Sequence, residues 1–360
     1  MSTREQNSTK RIAILIESNF QDAEFLVLYT ALCQAGANVV VLGSRKHVAY
    51  AGEQGRTSIT SDATTTETLP DAFDAVVIPG GTAPDIMRTD MKTVHFVQRA
   101  IQQGKLVAAI GHGPQVLIEG DLLRGRRATG FRSIRKDMQN AGASYAHEPV
   151  VIDDHLITSR RPGDLPIFAT ALLHRLGLTI QGISLPDEND RHAEWWKLAE
   201  AWGGSSKAEI VEALNEALAS EKYALDMCRQ HAQKASDEAL RAAFQAVCTD
   251  AEHHIQLLTA RLSALGAAAS PPLADGAAAA VKDWSQSHDS MMVLLDVLDH
   301  LQARIVAIYR LCNTTTDPAT TDIFDQMEVD LARSEQHLAD LYHQRHTGTE
   351  RSVGRNDAVS

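Results

Sequence analysis

The run Gly111-His112-Gly113-Pro114-Gln115 follows directly on the nearly continuous apolar stretch Leu106–Ile110 and precedes an amphipathic helical stretch. A strand that turns sharply into a helix lifts one side chain above the sheet and aims helix N–H groups at a developing negative charge, which is how a catalytic nucleophile is presented. Pro114 suits a first helical turn. The apex is Gly111, which takes up the strained backbone of such a turn cheaply and has no side chain to react. His112 could still act as a base toward water, or be only a polar residue at the mouth of a vestigial pocket. A second chemical candidate lies far downstream. Glu221 falls on the apolar line Leu214, Leu218, Leu225, where an unpaired carboxylate is costly, and His254 falls on the line Phe244, Val247, Leu258.

The elements that would position these residues have two different periods. Residues 11–175 alternate β-branched runs with helical stretches, the pattern of βα units around a largely parallel sheet. Residues 11–17, Asn38–Gly43, 75–79 and Leu106–Ile110 read as strands covered on both faces, and 150–152 with 155–159 as a hairpin. From about Ser205 the apolar residues recur every three or four positions in four long stretches. The third carries Met291, Leu295, Leu298, Ile305 and Tyr309, and the fourth Phe324, Met327, Leu331, Leu338 and Leu341. An Ala-, Gly- and Pro-rich segment, 266–281, makes one long crossover between the second and third. The reading is therefore an α/β domain over 11–176, a linker over 177–204, and an all-α four-helix bundle over 205–346. Disordered ends are expected at 1–10 and 347–360. The tryptophans of the linker imply that it packs on something.

Composition narrows the function. The 360 residues carry 34 Lys plus Arg against 46 Asp plus Glu, a net charge of −12, which disfavours a nucleic-acid or anionic-membrane partner. Nearly all of that net charge falls within 203–345. No apolar run approaches the ~18 residues of a membrane helix. The polar start has no signal-peptide core and the four Cys show no disulfide or zinc spacing, so a reducing cytoplasm is expected. Cys33, in an apolar helical stretch, reads as a core residue.

Across 11–175 the sequence resembles the ThiJ/PfpI superfamily, in its PfpI-type intracellular cysteine peptidase and stress-protein branch. The resemblance rests on Asn19-Phe20-Gln21-Asp22-Ala23-Glu24, Pro79-Gly80-Gly81-Thr82-Ala83-Pro84-Asp85, Ala108-Ala109-Ile110-Gly111-His112-Gly113-Pro114-Gln115 and Leu156-Ile157-Thr158-Ser159-Arg160. It implies a flavodoxin-like, class I glutamine amidotransferase-like sandwich. Gly111 stands at the position of the reactive Cys, His112 at its neighbouring His, and Asp85 at an acid that in PfpI-type oligomers reaches a neighbouring subunit. By the same resemblance Gly80, Gly81 and His112 supply the oxyanion amides, and Gln21 stands where a Glu bonds the thiol. On this reading both nucleophile and carboxylate are lost, and the peptidase, glyoxalase-like and deglycase-like chemistries lose their thiolate.

The second half resembles the ferritin-like superfamily, closest to bacterioferritin-like and Dps-like bundles, through residues 212–221, the long crossover, His254 and His337. A di-iron bundle needs a carboxylate from each of two helices and a Glu-x-x-His pair from each of the others. Ala251, Gln302 and Ser334 stand at three expected carboxylate positions. Asp250, Glu252, Asp299, His253, His300 and Glu335 fall off the inward lines. Glu221, His254 and His337 remain as at most one divalent metal site, and without metal Glu221 should bond His254, His337 or Gln302. No cofactor is expected beyond that ion. The expected protein is a stress-related, non-catalytic homo-oligomer, dimer or larger, with room for a small-molecule ligand above Gly111. The alternative is a PfpI-type hydrolase or an iron-handling protein.

Overall fold

Strands buried on both faces form the centre of the first half, as the unbroken apolar runs require. In the computed structural model, which describes residues 9–235, 237–270 and 290–356, the strands are β1 (Arg11–Leu15), β2 (Asn38–Gly43), β3 (Ala49–Ala51), β4 (Ser58–Thr60), β5 (Ala63–Thr64), β6 (Ala75–Ile78), β7 (Leu106–Ile110), β8 (Arg127–Ala128), β9 (Ser144–Tyr145), β10 (Val150–Asp153) and β11 (Leu156–Ser159). One sheet has the order β10-β11-β7-β6-β1-β2-β5. Its pairs are parallel except β10 with β11, the expected hairpin. Ile14 pairs with Val41 on one side and Val77 on the other, and Ile78 pairs with Ala109. Strand order reverses at β1, and in such sheets the usual ligand position lies beyond the carboxyl ends of the strands at the reversal, here β1, β6 and β7.

The covering helices are α1 (Asp22–Gln34), α2 (Ala83–Met87), α3 (Met91–Gln102), α4 (Pro114–Glu119), α5 (Arg135–Asn140) and α6 (Leu165–Leu176). Phe25, Leu28 and Leu32 form the buried stripe of α1; Cys33, one step around from Leu32, is exposed and outside the core. The segment read as a linker folds onto this domain. It contains α7 (Trp195–Ala201), and Trp195, Leu198 and Trp202 join the same apolar core as the strands. The Trp195 indole donates to the Asp190 carbonyl at 2.9 Å, meeting the need of a buried ring N–H.

By its internal contacts the chain divides into Met1–Ser206 with Thr316–Pro318, and Lys207–Thr315 with Ala319–Ser360. Among the described residues, the second unit contains α8 (Lys207–Lys234), α9 (Glu238–Ala264), α10 (Ser290–Thr314) and α11 (Pro318–Asn356). Of the crossover 266–281, residues 271–281 lie outside the described residues, as do 1–8 and 357–360 of the ends expected to be disordered. The inward face of α10 differs from the expected one. Leu294, Val297, Leu301, Ile308 and Leu311 are buried, whereas Leu295 and Tyr309 are exposed. This helix carries two apolar lines, and the line that enters the core also carries Arg304.

Candidate functional site

The first site is built at the carboxyl ends of three adjacent strands. After β1 the chain reverses through Asn19 at φ 64° and enters α1, whose N-cap is Gln21: the Gln21 side-chain oxygen accepts the Glu24 amide at 2.8 Å. After β7 comes the elbow. Gly111 has φ +62°, the left-handed region that costs a side-chain-bearing residue roughly 1–2 kcal/mol. Its amide donates to the Ser159 carbonyl at 3.1 Å and its carbonyl accepts from Phe131 at 2.8 Å, so the apex is fixed from both sides.

The residue beneath the apex is Glu24. A Cβ built on Gly111 would lie 2.6 Å from Glu24 Oε1, so the carboxyl sits directly against the apex and would have to shift to admit a side chain at 111. Glu24 Oε2 accepts the Gly80 amide at 2.6 Å. Burial pushes the Glu24 carboxyl up to about 8, with the Gly80 bond opposing and the charge of Glu53 adding to the rise. At neutral pH the group is therefore protonated. This corrects the reading of Gln21 as the place of a lost carboxylate: Gln21 is occupied in capping α1, and the carboxyl is present three residues on. Glu24 lies one turn before Leu28 on the buried side of α1, and that inward placement is the signal in the sequence that identifies it.

The remaining expected groups are arranged less simply. A Cβ on Gly80 would approach the His112 amide to 2.7 Å, so Gly80 is what lets these two loops meet. Because the Gly80 amide is given to Glu24, it is not an oxyanion donor; of the expected set, Gly81 and His112 remain. His112 is half-buried against the Phe131 ring, 4.7 Å between centroids, and its Nε2 lies 2.9 Å from Ser133 Oγ. Burial lowers the His112 pKa and the charge of Asp85 opposes that less strongly, which favours the neutral ring. Asp85 is exposed and pairs with Arg88 at 2.7 Å. It acts on His112 as a nearby charge. Ser133 has no counterpart among the sequence expectations.

In the helical unit one side chain from each helix meets in the core. Glu221 of α8, His254 of α9, Arg304 of α10 and Asp330 of α11 are all buried. Glu221 Oε2 is 3.1 Å from His254 Nδ1, Glu221 Oε1 accepts Arg304 Nη2 at 2.5 Å, and His254 Nε2 is 3.4 Å from Asp330 Oδ2. Asp330 also meets Arg333 at 3.0 Å and Gln326 at 2.8 Å. Burial raises the Glu221 carboxyl, but the bonds from His254 and Arg304 outweigh it and hold the group below its ordinary value.

Of the expected metal set, Glu221 and His254 are brought together and His337 is not. His337 is exposed, one step around the helix from buried Leu338. Gln302 is turned outward to Glu335 at 2.9 Å. Among the described residues no group of three or more His, Cys, Asp and Glu side chains is placed to hold a metal ion. The two carboxylates lie on opposite nitrogens of one imidazole, so no single point is within bonding reach of all three groups. Arg304 and Asp330 escaped the sequence reading because each was set one step off the assumed inward line.

With this geometry in hand, comparison with known proteins bears on both units. The DJ-1/PfpI family model matches residues 10–175 and the Ferritin-like domain model matches residues 211–345. A crystal structure of a two-domain protein from Anabaena variabilis, described as containing DJ-1/ThiJ/PfpI-like and ferritin-like domains, is 49% identical, with a TM-score of 0.86 over 94% of this chain and 96% of that one. Protein/nucleic acid deglycase 2 of Escherichia coli is 41% identical over 170 residues, 47% of this chain and 99% of the relative. General stress protein 18 of Bacillus subtilis is 41% identical over 160 residues, 44% of this chain and 93% of the relative. No helix among the described residues is long and apolar enough to cross a membrane.

Proposed function

Because the chain belongs to the DJ-1/PfpI family and carries a ferritin-like domain behind its family domain, we propose that its first domain is a non-catalytic, ligand-binding form of that fold in a stress-related cytoplasmic protein. One observation carries the reading. The apex of the elbow is a glycine, with no side chain to react, and the protonated carboxyl of Glu24 lies directly against it. Covalent acyl transfer or carbonyl addition through a thiolate needs a Cys at that apex, and neither Glu24, which is neutral and buried, nor the half-buried His112 replaces it as a covalent nucleophile.

What the pocket retains is suited to binding. The amides of Gly81 and His112, the Ser133 hydroxyl and the neutral His112 ring offer polar contacts to a small molecule bearing a carbonyl or carboxylate. The names of the relatives, a deglycase and a general stress protein, support a setting of carbonyl stress. The purified full chain should not turn over a panel of peptide, ester and dicarbonyl substrates. Turnover by the unsubstituted chain would overturn the reading. The His112–Ser133 contact favours a second reading, in which the neutral imidazole activates water or the hydroxyl toward an ester. Ester hydrolysis that disappears in His112→Ala would establish it.

A further inference from the structure

The ferritin-like fold implies a metal centre between the helices, and the residues at that place in this chain do not form one. We propose that Arg304 is the resident cation of the bundle: its guanidinium answers the charge of Glu221 through the oxygen that His254 leaves free, and so keeps a divalent ion from binding the Glu221–His254 pair.

Three observations lead there. Each of the four helices sends one titratable side chain inward at the same level, and three of the four are His, Glu or Asp of the kind that ligate metals. The fourth is an arginine, which carries its charge at every accessible pH and contacts the Glu221 oxygen not used by His254. Second, Glu221 Oε2 and His254 Nδ1 are 3.1 Å apart. Two ligands each about 2.0–2.2 Å from one tetrahedral zinc-sized ion are separated by roughly 3.3–3.6 Å, so this hydrogen-bonded pair would need to open by only a few tenths of an ångström to become neighbouring ligands. The opposite imidazole nitrogen faces Asp330, as a metal-bound histidine usually faces an outer carboxylate. Third, Arg304 Nε is buried with no hydrogen-bond partner. A guanidinium with an unsatisfied donor is a poor choice for a core unless its charge is needed. The charge it answers is that of Glu221.

A divalent ion entering this pair would meet a fixed positive charge bonded to one of its two intended ligands. The same argument gives the converse. Once Arg304 is replaced by a small neutral residue, Glu221 is left buried beside His254 with its charge answered only by a proton or by an added cation, and a divalent ion can compete for the pair.

The test uses the full chain and cobalt(II), whose visible absorption reports coordination by protein ligands. The unsubstituted chain should show no saturable cobalt signal that depends on Glu221, and no change in melting temperature attributable to the bundle. Arg304→Ala should melt at lower temperature, bind one cobalt ion per chain, and regain melting temperature when the ion is added. Both effects should vanish in Arg304→Ala with Glu221→Gln. In the Arg304→Ala background, Asp330→Asn should weaken cobalt binding by about 10- to 100-fold, the usual cost of losing an outer partner. Arg304→Met, which keeps most of the side-chain volume, serves where the alanine variant is too unstable, refolded with and without cobalt. One cobalt ion bound by the unsubstituted chain and lost in Glu221→Gln would overturn the proposal. So would folded Arg304 variants that gain no Glu221-dependent site, or variants that stay unfolded even with cobalt present.

Discussion

Glu24→Gln is the substitution whose effect follows most directly from the structure. A carboxyl that titrates near 4.5 in the unfolded chain and at about 8 in the folded one keeps its proton on folding throughout the interval between. The folded state then binds more protons than the unfolded state, so stability falls as pH rises across that window, by up to about 1.4 kcal/mol per pH unit. Below the lower value both states are protonated and the slope vanishes. Glutamine preserves the neutral shape: its carbonyl can accept the Gly80 amide that Glu24 Oε2 accepts at 2.6 Å, and its amide group lies toward Gly111 where Oε1 now sits. Urea unfolding at pH 5, 6, 7 and 8, followed by the fluorescence of buried Trp195 and Trp202, reads the stability of this domain. The stability of Glu24→Gln minus that of the unsubstituted chain should increase steadily from pH 5 to pH 8. Subtracting the two removes the contributions of groups that do not interact with Glu24, such as His112, and leaves that of Glu24 with its coupling to Glu53. A difference independent of pH would refute the placement of a protonated carboxyl beneath the apex.

Other consequences are equally open to measurement. Gly111→Cys should unfold more easily by roughly 1–3 kcal/mol, because a non-glycine residue is strained at this positive φ and its Cβ must displace Glu24 Oε1; equilibrium unfolding in urea tests this. Glu221→Leu leaves Arg304 buried without its carboxylate and should cost about 3–5 kcal/mol, read as a fall in the melting transition of the helical unit. Since the Glu221 carboxyl is held below its ordinary value, the stability it contributes is present at neutral pH and is lost as pH falls through that lowered value, so the gap between Glu221→Leu and the parent should narrow in acid. Light scattering should show a dimer or larger. Met292, Leu295, Val306 and Tyr309 are exposed along one side of α10, and Val306→Asp should shift the assembly toward smaller species if that side is covered by a second copy.

Much of this architecture is legible in the sequence because it depends on period. Continuous apolar runs such as Leu106–Ile110 can be satisfied only by a doubly covered strand, and the three-four recurrence after Ser205 only by helices packed along one face. The elbow was legible for the same reason, since strand, Gly-His-Gly-Pro and helix leave few alternatives. What failed was choice among neighbouring positions on a helix. Gln21 and Glu24 both lie at the start of α1, and the backbone of the cap decides that the first bonds the helix while the second turns in to the carboxyl ends of the central strands. On α10, Leu295 and Tyr309 compete with Leu301 and Ile308 for the core, and the losing line was as apolar as the winning one, which hid Arg304. On α11, Asp330 beside Leu331 reads as a solvated charge until Arg333, Gln326 and His254 are seen around it.

The central claim is that the first domain keeps its family's site intact except for one missing side chain. Dicarbonyl consumption by Gly111→Cys, compared with the unsubstituted chain and with Gly111→Cys carrying Gln21→Glu, tests it most directly. With Glu24 already in place, the single substitution should raise the rate on the order of a hundredfold or more, a modest part of what a nucleophile supplies. Adding Gln21→Glu should give nothing further, because position 21 caps a helix. A folded Gly111→Cys chain no more active than its parent would contradict the claim, as would activity that appears only when Gln21→Glu is also present.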